Sequence, residues 1–133
     1  MNCVLDTDVL IAILDDRDSH HRQADALITA LHKRAEGALL SLVNYAEALV
    51  KPAEDEATLL TAHDAVVALV ELVVPNDAIA RDAARFRALG VSLADGFAMA
   101  TARARGAALA SFDRRVRRAA VDAGVELHAM IAV

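Results

Sequence analysis

Short apolar runs recur at residues 2 to 6, 38 to 42, 71 to 75, 107 to 111 and 125 to 129, separated mostly by ten or more residues of helical patterning. Apolar runs of this length read as strands, and strands that alternate with helices imply a parallel sheet. Three junctions share one grammar, a polar or basic stretch, a glycine, then an apolar run: Arg87-Ala88-Leu89-Gly90-Val91, Arg103-Ala104-Arg105-Gly106-Ala107 and Asp122-Ala123-Gly124-Val125. Glycine is favoured just past a helix end, where the backbone turns left-handed, so the pattern predicts helices ending near 89, 105 and 123. Pro52 separates a predicted helix of about 43 to 51 from a longer one near 55 to 69. The expected architecture is a single α/β domain over residues 1–133, a three-layer sandwich whose central, mostly parallel sheet of about five strands is flanked by helices.

Composition narrows the picture. With 56% hydrophobic but only 3% aromatic residues, the core must be built from Ala, Val, Leu and Ile, which suits helices packed closely on a sheet and excludes a disordered chain. No apolar run approaches the roughly 20 residues of a membrane-spanning helix. The start Met1-Asn2-Cys3-Val4-Leu5-Asp6 lacks the basic segment and long apolar stretch of a secretory signal, so a cytoplasmic location is expected. Cys3, the single cysteine, cannot form an internal disulfide and reads as a small buried hydrophobe. Fourteen basic against nineteen acidic residues leave a formal charge of -5, which argues against broad, charge-driven wrapping of nucleic acid. A local site is still compatible with that charge, because bound cations reverse the field of the acids that hold them.

The placing of the acids then matters more than their number. Asp6 closes the first apolar run, Asp113 follows the fourth in Ala110-Ser111-Phe112-Asp113, and Asp95 opens the helix in Ser92-Leu93-Ala94-Asp95-Gly96. Ligands of open α/β sheets gather outside the carboxyl ends of the strands, so these distant acids are expected to meet there. Each also has an ordinary structural reading. Asp6 or Asp8 would cap the following helix, Ser92 with Asp95 has capping-box spacing, Asp113 would complement a helix dipole, and Glu47 would pair with Lys51 one turn later. Yet Glu47 has small or apolar neighbours at 46, 48, 49 and 50, where an unpaired acid near a core is unfavourable. Two carboxylates about 4 Å apart repel by roughly 4 kcal/mol at a surface-like dielectric, so a cluster calls for counter-charge, most economically a divalent cation. Mg²⁺ and Mn²⁺ suit hard oxygen donors and phosphate substrates, as phosphodiester hydrolysis requires.

Val4-Leu5-Asp6-Thr7-Asp8-Val9-Leu10-Ile11, Asn44-Tyr45-Ala46-Glu47, Leu93-Ala94-Asp95-Gly96-Phe97-Ala98-Met99-Ala100 and Ala110-Ser111-Phe112-Asp113, in this order, resemble the PIN-domain family, particularly the small VapC-type toxins of bacterial toxin–antitoxin pairs. The resemblance runs nearly end to end. It implies a parallel sheet flanked by helices, dependence on Mg²⁺ or Mn²⁺, cleavage of RNA, homodimers and inhibition by a cognate antitoxin protein. By motif position it implies Asp6, Glu47, Asp95 and Asp113 as metal ligands or positioners of water, with Thr7 and Ser111 as supporting polar groups. Asp8 stands where the family often has Asn or Ser, and is a secondary candidate. Where some relatives carry another acid or amide, two residues beyond the last Asp, this chain has Arg115.

Arg114, Arg115, Arg117 and Arg118 are candidates for contact with RNA phosphates, although at 100° per residue they cannot all share one helix face. An apolar helical surface around residues 42 to 70 would accept an amphipathic partner helix. The five histidines, at 20, 21, 32, 63 and 128, lack metal-ligand spacing and read as structural or exposed. No phosphate-cradling Gly-rich loop with Lys, catalytic Ser elbow or Cys pair for zinc is present, which argues against nucleotide hydrolases and zinc enzymes. Two alternatives stand beside the nuclease. One is a haloacid-dehalogenase-like phosphatase using Asp6 and Asp8, for which Lys33 and Lys51 are badly placed; the other is a catalytically silent PIN-like scaffold that binds RNA or protein.

Overall fold

The computed structural model describes residues 1–133. The chain runs β1 (Cys3–Leu5), α1 (Thr7–Leu14), α2 (His21–Lys33), β2 (Ala38–Ser41), α3 (Leu42–Leu49), a 3-10 turn at Pro52–Glu54, α4 (Glu56–Leu69), β3 (Glu71–Val73), α5 (Asp77–Arg87), α6 (Leu93–Arg105), β4 (Ala108–Ala110) and α7 (Arg114–Asp122). All strand pairs are parallel and the sheet order is β3-β2-β1-β4. The chain therefore builds outward from β1 in one direction, then returns to place β4 on its other side. The crevice at the carboxyl ends of β1 and β4 is the point where the order reverses, the usual ligand position of open α/β sheets.

Strand side chains alternate between two cores. Cys3, Leu5, Ala38, Leu40 and Ala110 join the cluster that contains α1 and α2 residues such as Val9, Leu10, Leu27 and Leu31. Val4, Leu39, Val73 and Leu109 join the opposite cluster, with Ile79, Ala83, Phe86, Met99 and Val116 from α5, α6 and α7. A sheet covered on both faces explains why β1 and β4 are apolar throughout, and β2 as far as Ser41, instead of alternating with polar residues. The three-layer sandwich expected from the pattern is thus observed, and the glycines of the three repeated junctions adopt left-handed φ of 87° (Gly90), 58° (Gly106) and 74° (Gly124).

The differences are local. Four strands form instead of about five, because the run at 125 to 129 makes only a single parallel bridge, Leu109 to Leu127. The Met130 amide then donates to His128 Nδ1, turning the chain away from the sheet. β3 stops at Val73, short of Pro75, which has no N–H to give to a ladder. No helix is long and apolar enough to cross a membrane.

α5 and α6 pack closely through small residues. A Cβ added at Gly96 would stand 2.6 Å from the Ala83 carbonyl oxygen, a backbone atom that cannot swing aside. Gly96→Ala is therefore expected to lower stability by about 1–3 kcal/mol, overpacking outweighing the roughly 1 kcal/mol of helix propensity that alanine contributes. Chemical denaturation checks this, and a more stable variant would show that α5 yields easily.

Candidate active site

Asp6, 3% exposed, leaves the end of β1 as the N-cap of α1. Its Oδ1 accepts the Thr7 amide at 2.9 Å, and its Oδ2 accepts the Ser111 hydroxyl at 2.7 Å. Ser111 lies just past β4, so this bond ties the two strand ends together across the switch point. Asp8, in the first turn of α1, accepts the Phe112 amide on Oδ2 at 3.1 Å, while its buried Oδ1 has no hydrogen-bond partner. Asp113 caps α7, accepting the amides of Arg115 (2.8 Å) and Val116 (3.3 Å), and its own amide donates to Ser111 Oγ at 3.1 Å.

Asp95 completes a reciprocal capping box on α6, its Oδ2 accepting the Ser92 amide while its own amide donates to Ser92 Oγ, both at 3.1 Å. The ordinary structural reading of these acids is therefore correct, and it does not compete with a functional one. Each cap fixes a carboxylate at a helix N-terminus, and the N-termini of α1, α6 and α7 point their positive dipole ends at the same crevice. Thr7, a predicted supporting group, accepts from Asn44 Nδ2 at 3.0 Å, and the same nitrogen donates to the Ala94 carbonyl at 3.2 Å. Fully buried Asn44 thus straps the residue after Asp6 to the residue before Asp95. In the sequence Asn44 belongs to a motif without an evident task; its one signal there is a polar residue three positions before Glu47 on an otherwise apolar face.

Glu47 stands apart. It is exposed on α3 and its side chain has neither a hydrogen bond nor an ion pair, with Lys51 included. The expectation that it borders the core is thereby corrected, since Ala46 and Val50 beside it are exposed as well. It does lie one turn beyond Asn44, about 60° around the helix from the residue that touches both Thr7 and Ala94.

Electrostatics record the convergence of the aspartates. Burial, then the charge of Asp8 and that of Asp95, push Asp6 up to about 7, against the lowering effect of the Ser111 and Thr7 bonds. Burial first, with Asp113 and Asp95 adding, raises Asp8 to about 6 in spite of the Phe112 and Val9 amides. Asp6 therefore senses Asp8 and Asp95, and Asp8 senses Asp95 and Asp113, across three separate chain segments. No three His, Cys, Asp or Glu side chains stand together as a ready-made metal site. The donor chemistry nonetheless fits a hard divalent cation: all-oxygen, strongly negative, with one buried carboxylate oxygen, Asp8 Oδ1, lacking any partner.

The sequence matches the PIN domain over residues 3–122. The chain belongs to the PIN domain family. No curated protein matches it at significance. Among solved structures, VapBC2 from Rickettsia felis bound to a DNA fragment from its promoter superposes with a TM-score of 0.77 at 14% identity, covering 96% of this chain and 98% of that one. FitAcB from Neisseria gonorrhoeae gives 0.72 at 20% identity, with 96% and 97% covered. VapC20 from Mycobacterium tuberculosis, a Sarcin-Ricin loop cleaving toxin, gives 0.70 at 15% identity, with 89% and 95% covered. These likenesses establish the PIN fold end to end.

Within this PIN domain the four arginines after Asp113 divide. Arg117 donates to the Ser111 carbonyl at 3.0 Å and to the Ile131 carbonyl at 3.2 Å, bracing the loop that carries the site against the C-terminal segment. Arg114, Arg115 and Arg118 are exposed and bind no other protein group through their side chains. The histidines are structural or exposed as read: His21 bonds the Ala12 carbonyl, His32 the Leu69 carbonyl, and His63 the Tyr45 hydroxyl. Cys3 is buried, and burial pushes its thiol up to about 12, which leaves it inert as a nucleophile. Lys33, at the end of α2, and Lys51, before Pro52, are both exposed outside the cluster, so the phosphatase alternative has no lysine at this centre.

Two outcomes follow from this geometry. Because Asp6 holds its proton more tightly folded than unfolded, metal-free protein is most stable below about pH 4 at this group, and loses stability as pH rises through about 7. Each pH unit in that window amounts to about 1.4 kcal/mol for a fully linked group. The melting temperature in EDTA is thus expected to fall between about pH 4 and 7 and to level off above that, and Asp6→Asn to flatten the fall; an unchanged slope would remove Asp6 as its source. Asn44→Leu, which keeps the volume but leaves the Thr7 hydroxyl and Ala94 carbonyl unpaired, is expected to lower stability by about 2–4 kcal/mol in urea denaturation. A loss under 1 kcal/mol would mean that the strap is dispensable.

Proposed function

We propose that this PIN domain is a divalent-metal-dependent ribonuclease that hydrolyses RNA phosphodiester bonds, and the toxin of a toxin–antitoxin pair. The observation that carries the reading is the gathering of Asp6, Asp8, Asp95 and Asp113 near the β1–β4 switch point, where burial first, and the charges of neighbouring aspartates second, raise the proton affinity of Asp6 and Asp8. Asp6, Asp95 and Asp113 would hold Mg²⁺ or Mn²⁺, with Asp8 offering its unpartnered oxygen and Glu47 closing the outer side from α3. Such an ion, when bound, polarises the phosphate and acidifies water. The protein's own residues keep the carboxylates in place: Ser111 and Thr7 restrain Asp6, and the capping bonds restrain Asp95 and Asp113. Arg114, Arg115 and Arg118 supply phosphate contacts that position the strand without reading its sequence.

Partners follow the same logic. Leu42, Val50, Leu60 and Val67 are exposed apolar side chains on or beside α3 and α4, a surface suited to an amphipathic helix of a cognate antitoxin. The solved neighbours include a toxin-antitoxin complex from Klebsiella pneumoniae and a DNA-bound VapBC from Salmonella typhimurium. A homodimer and a cytoplasmic location belong to this reading.

The decisive measurement is cleavage of a mixed structured-RNA pool by antitoxin-free protein with Mg²⁺, Mn²⁺ or EDTA, using wild type, Asp6→Asn and Asp95→Asn, each verified as folded. Metal-dependent cutting that falls about 100-fold or more in both variants is expected. Folded, cation-bound wild type that cuts no RNA would instead favour the silent scaffold.

A further inference from the structure

We propose that the His20 ring is a stacking platform for a nucleobase of single-stranded RNA at the edge of the carboxylate centre; the proposal rests on the ribonuclease reading. Of all the aromatic and imidazole side chains, only those of His20 and His32 belong to exposed residues, the four Phe and Tyr rings being buried or half-buried. His32 is turned to the Leu69 carbonyl at the far end of α2. His20 instead lies flat on Phe112, ring centroids 4.1 Å apart and planes 13° from parallel. One face of the imidazole is thereby covered while its side chain stays 45% exposed, so the other face is open to solvent.

The ring is held, and it is held in the right place. Asp18 accepts the His20 amide at 2.8 Å and lies 3.8 Å from its Nδ1, fixing the turn that enters α2. Phe112 is only 6% exposed, and its amide donates to Asp8 Oδ2, so the stacked pair is rooted in the carboxylate cluster itself. Asp113 and the exposed Arg114 follow directly in the chain. A base laid on His20 would thus sit beside a phosphate held by Arg114 and the centre. Stacking on aromatic or histidine rings is a common way to hold splayed bases, and tolerates any base. It also answers the difficulty posed by a charge of -5, since stacking gives affinity without a broad basic surface.

The test compares wild type with His20→Leu, which still shields Phe112, and His20→Phe, which restores a flat ring. Cleavage of a short single-stranded RNA in Mg²⁺ gives KM and kcat. Binding in EDTA is measured for the same strand and for a series with one abasic residue at each position. His20→Leu is expected to raise KM and Kd about tenfold with kcat within about twofold, and His20→Phe to recover both. One abasic position should weaken wild type by a similar factor and have no further effect in His20→Leu, as two changes to one contact require. Equal KM and Kd in wild type and His20→Leu, or a loss that phenylalanine does not recover, would overturn the platform while cutting continues to support the ribonuclease. Wild type that neither binds nor cuts RNA would overturn both.

Discussion

Repulsion among carboxylates gathered at one end of a parallel sheet is the constraint that the rest of this structure answers. Two such groups about 4 Å apart oppose each other by roughly 4 kcal/mol at a surface-like dielectric. The local response is spread over several modest interactions. N-cap bonds are worth about 1 kcal/mol each, and a helix N-terminus adds about 0.3–1 kcal/mol toward a nearby anion. Asp6, Asp95 and Asp113 each use such a cap or capping box, so three helices lend their positive ends to one crevice. These contributions are of the same order as a single pair repulsion but fall short of a cluster, and burial, with the neighbouring charges adding to it, holds the protons of Asp6 and Asp8 up to about 7 and 6. The fold withstands the cluster because both faces of the sheet are packed with apolar side chains behind it.

Much of this is legible in the amino-acid sequence. The alternation of apolar runs and helical stretches is enforced by burial on both faces of β1, β2 and β4, and burial leaves few ways to write such strands. The repeated glycine junctions are readable because only glycine adopts a left-handed φ without strain, as Gly90, Gly106 and Gly124 do. The positions of Asp6, Asp95 and Asp113 can be foreseen from strand and helix boundaries alone. Their double duty as caps can be foreseen as well, because capping is a local rule.

What the sequence conceals depends on contacts between distant segments. Asn44 looks like any polar residue in α3 until Thr7 and Ala94 arrive on either side of it. Arg117 belongs to a basic run, and only the position of Ile131 decides that it braces the site loop while its neighbours face solvent. Glu47 fails in the other direction: its apolar neighbours imply burial, yet α3 leaves Leu42, Ala46 and Val50 exposed as well. Apolar surface on a helix with no core to cover is a different signal, and composition cannot separate the two. The run at 125 to 129 has strand composition but makes one bridge, because the chain turns at Met130.

The small residues of α6 link these observations. Asp95 has to stand close enough to Asp6 for the two charges to interact, which requires α6 to approach the sheet and α5 tightly. Ala98, Ala100 and Ala102 are buried in that interface, and Gly96, next to Asp95, leaves no room for a methyl group against Ala83. A bulkier helix would sit farther out and relieve the repulsion, at the expense of the only place where the chain concentrates negative charge around a buried carboxylate oxygen without a partner. Close packing, ordinarily a source of stability, here serves to hold together groups that would lower their energy by separating. The alanine-rich, aromatic-poor composition is thus a condition of the site as much as of the core.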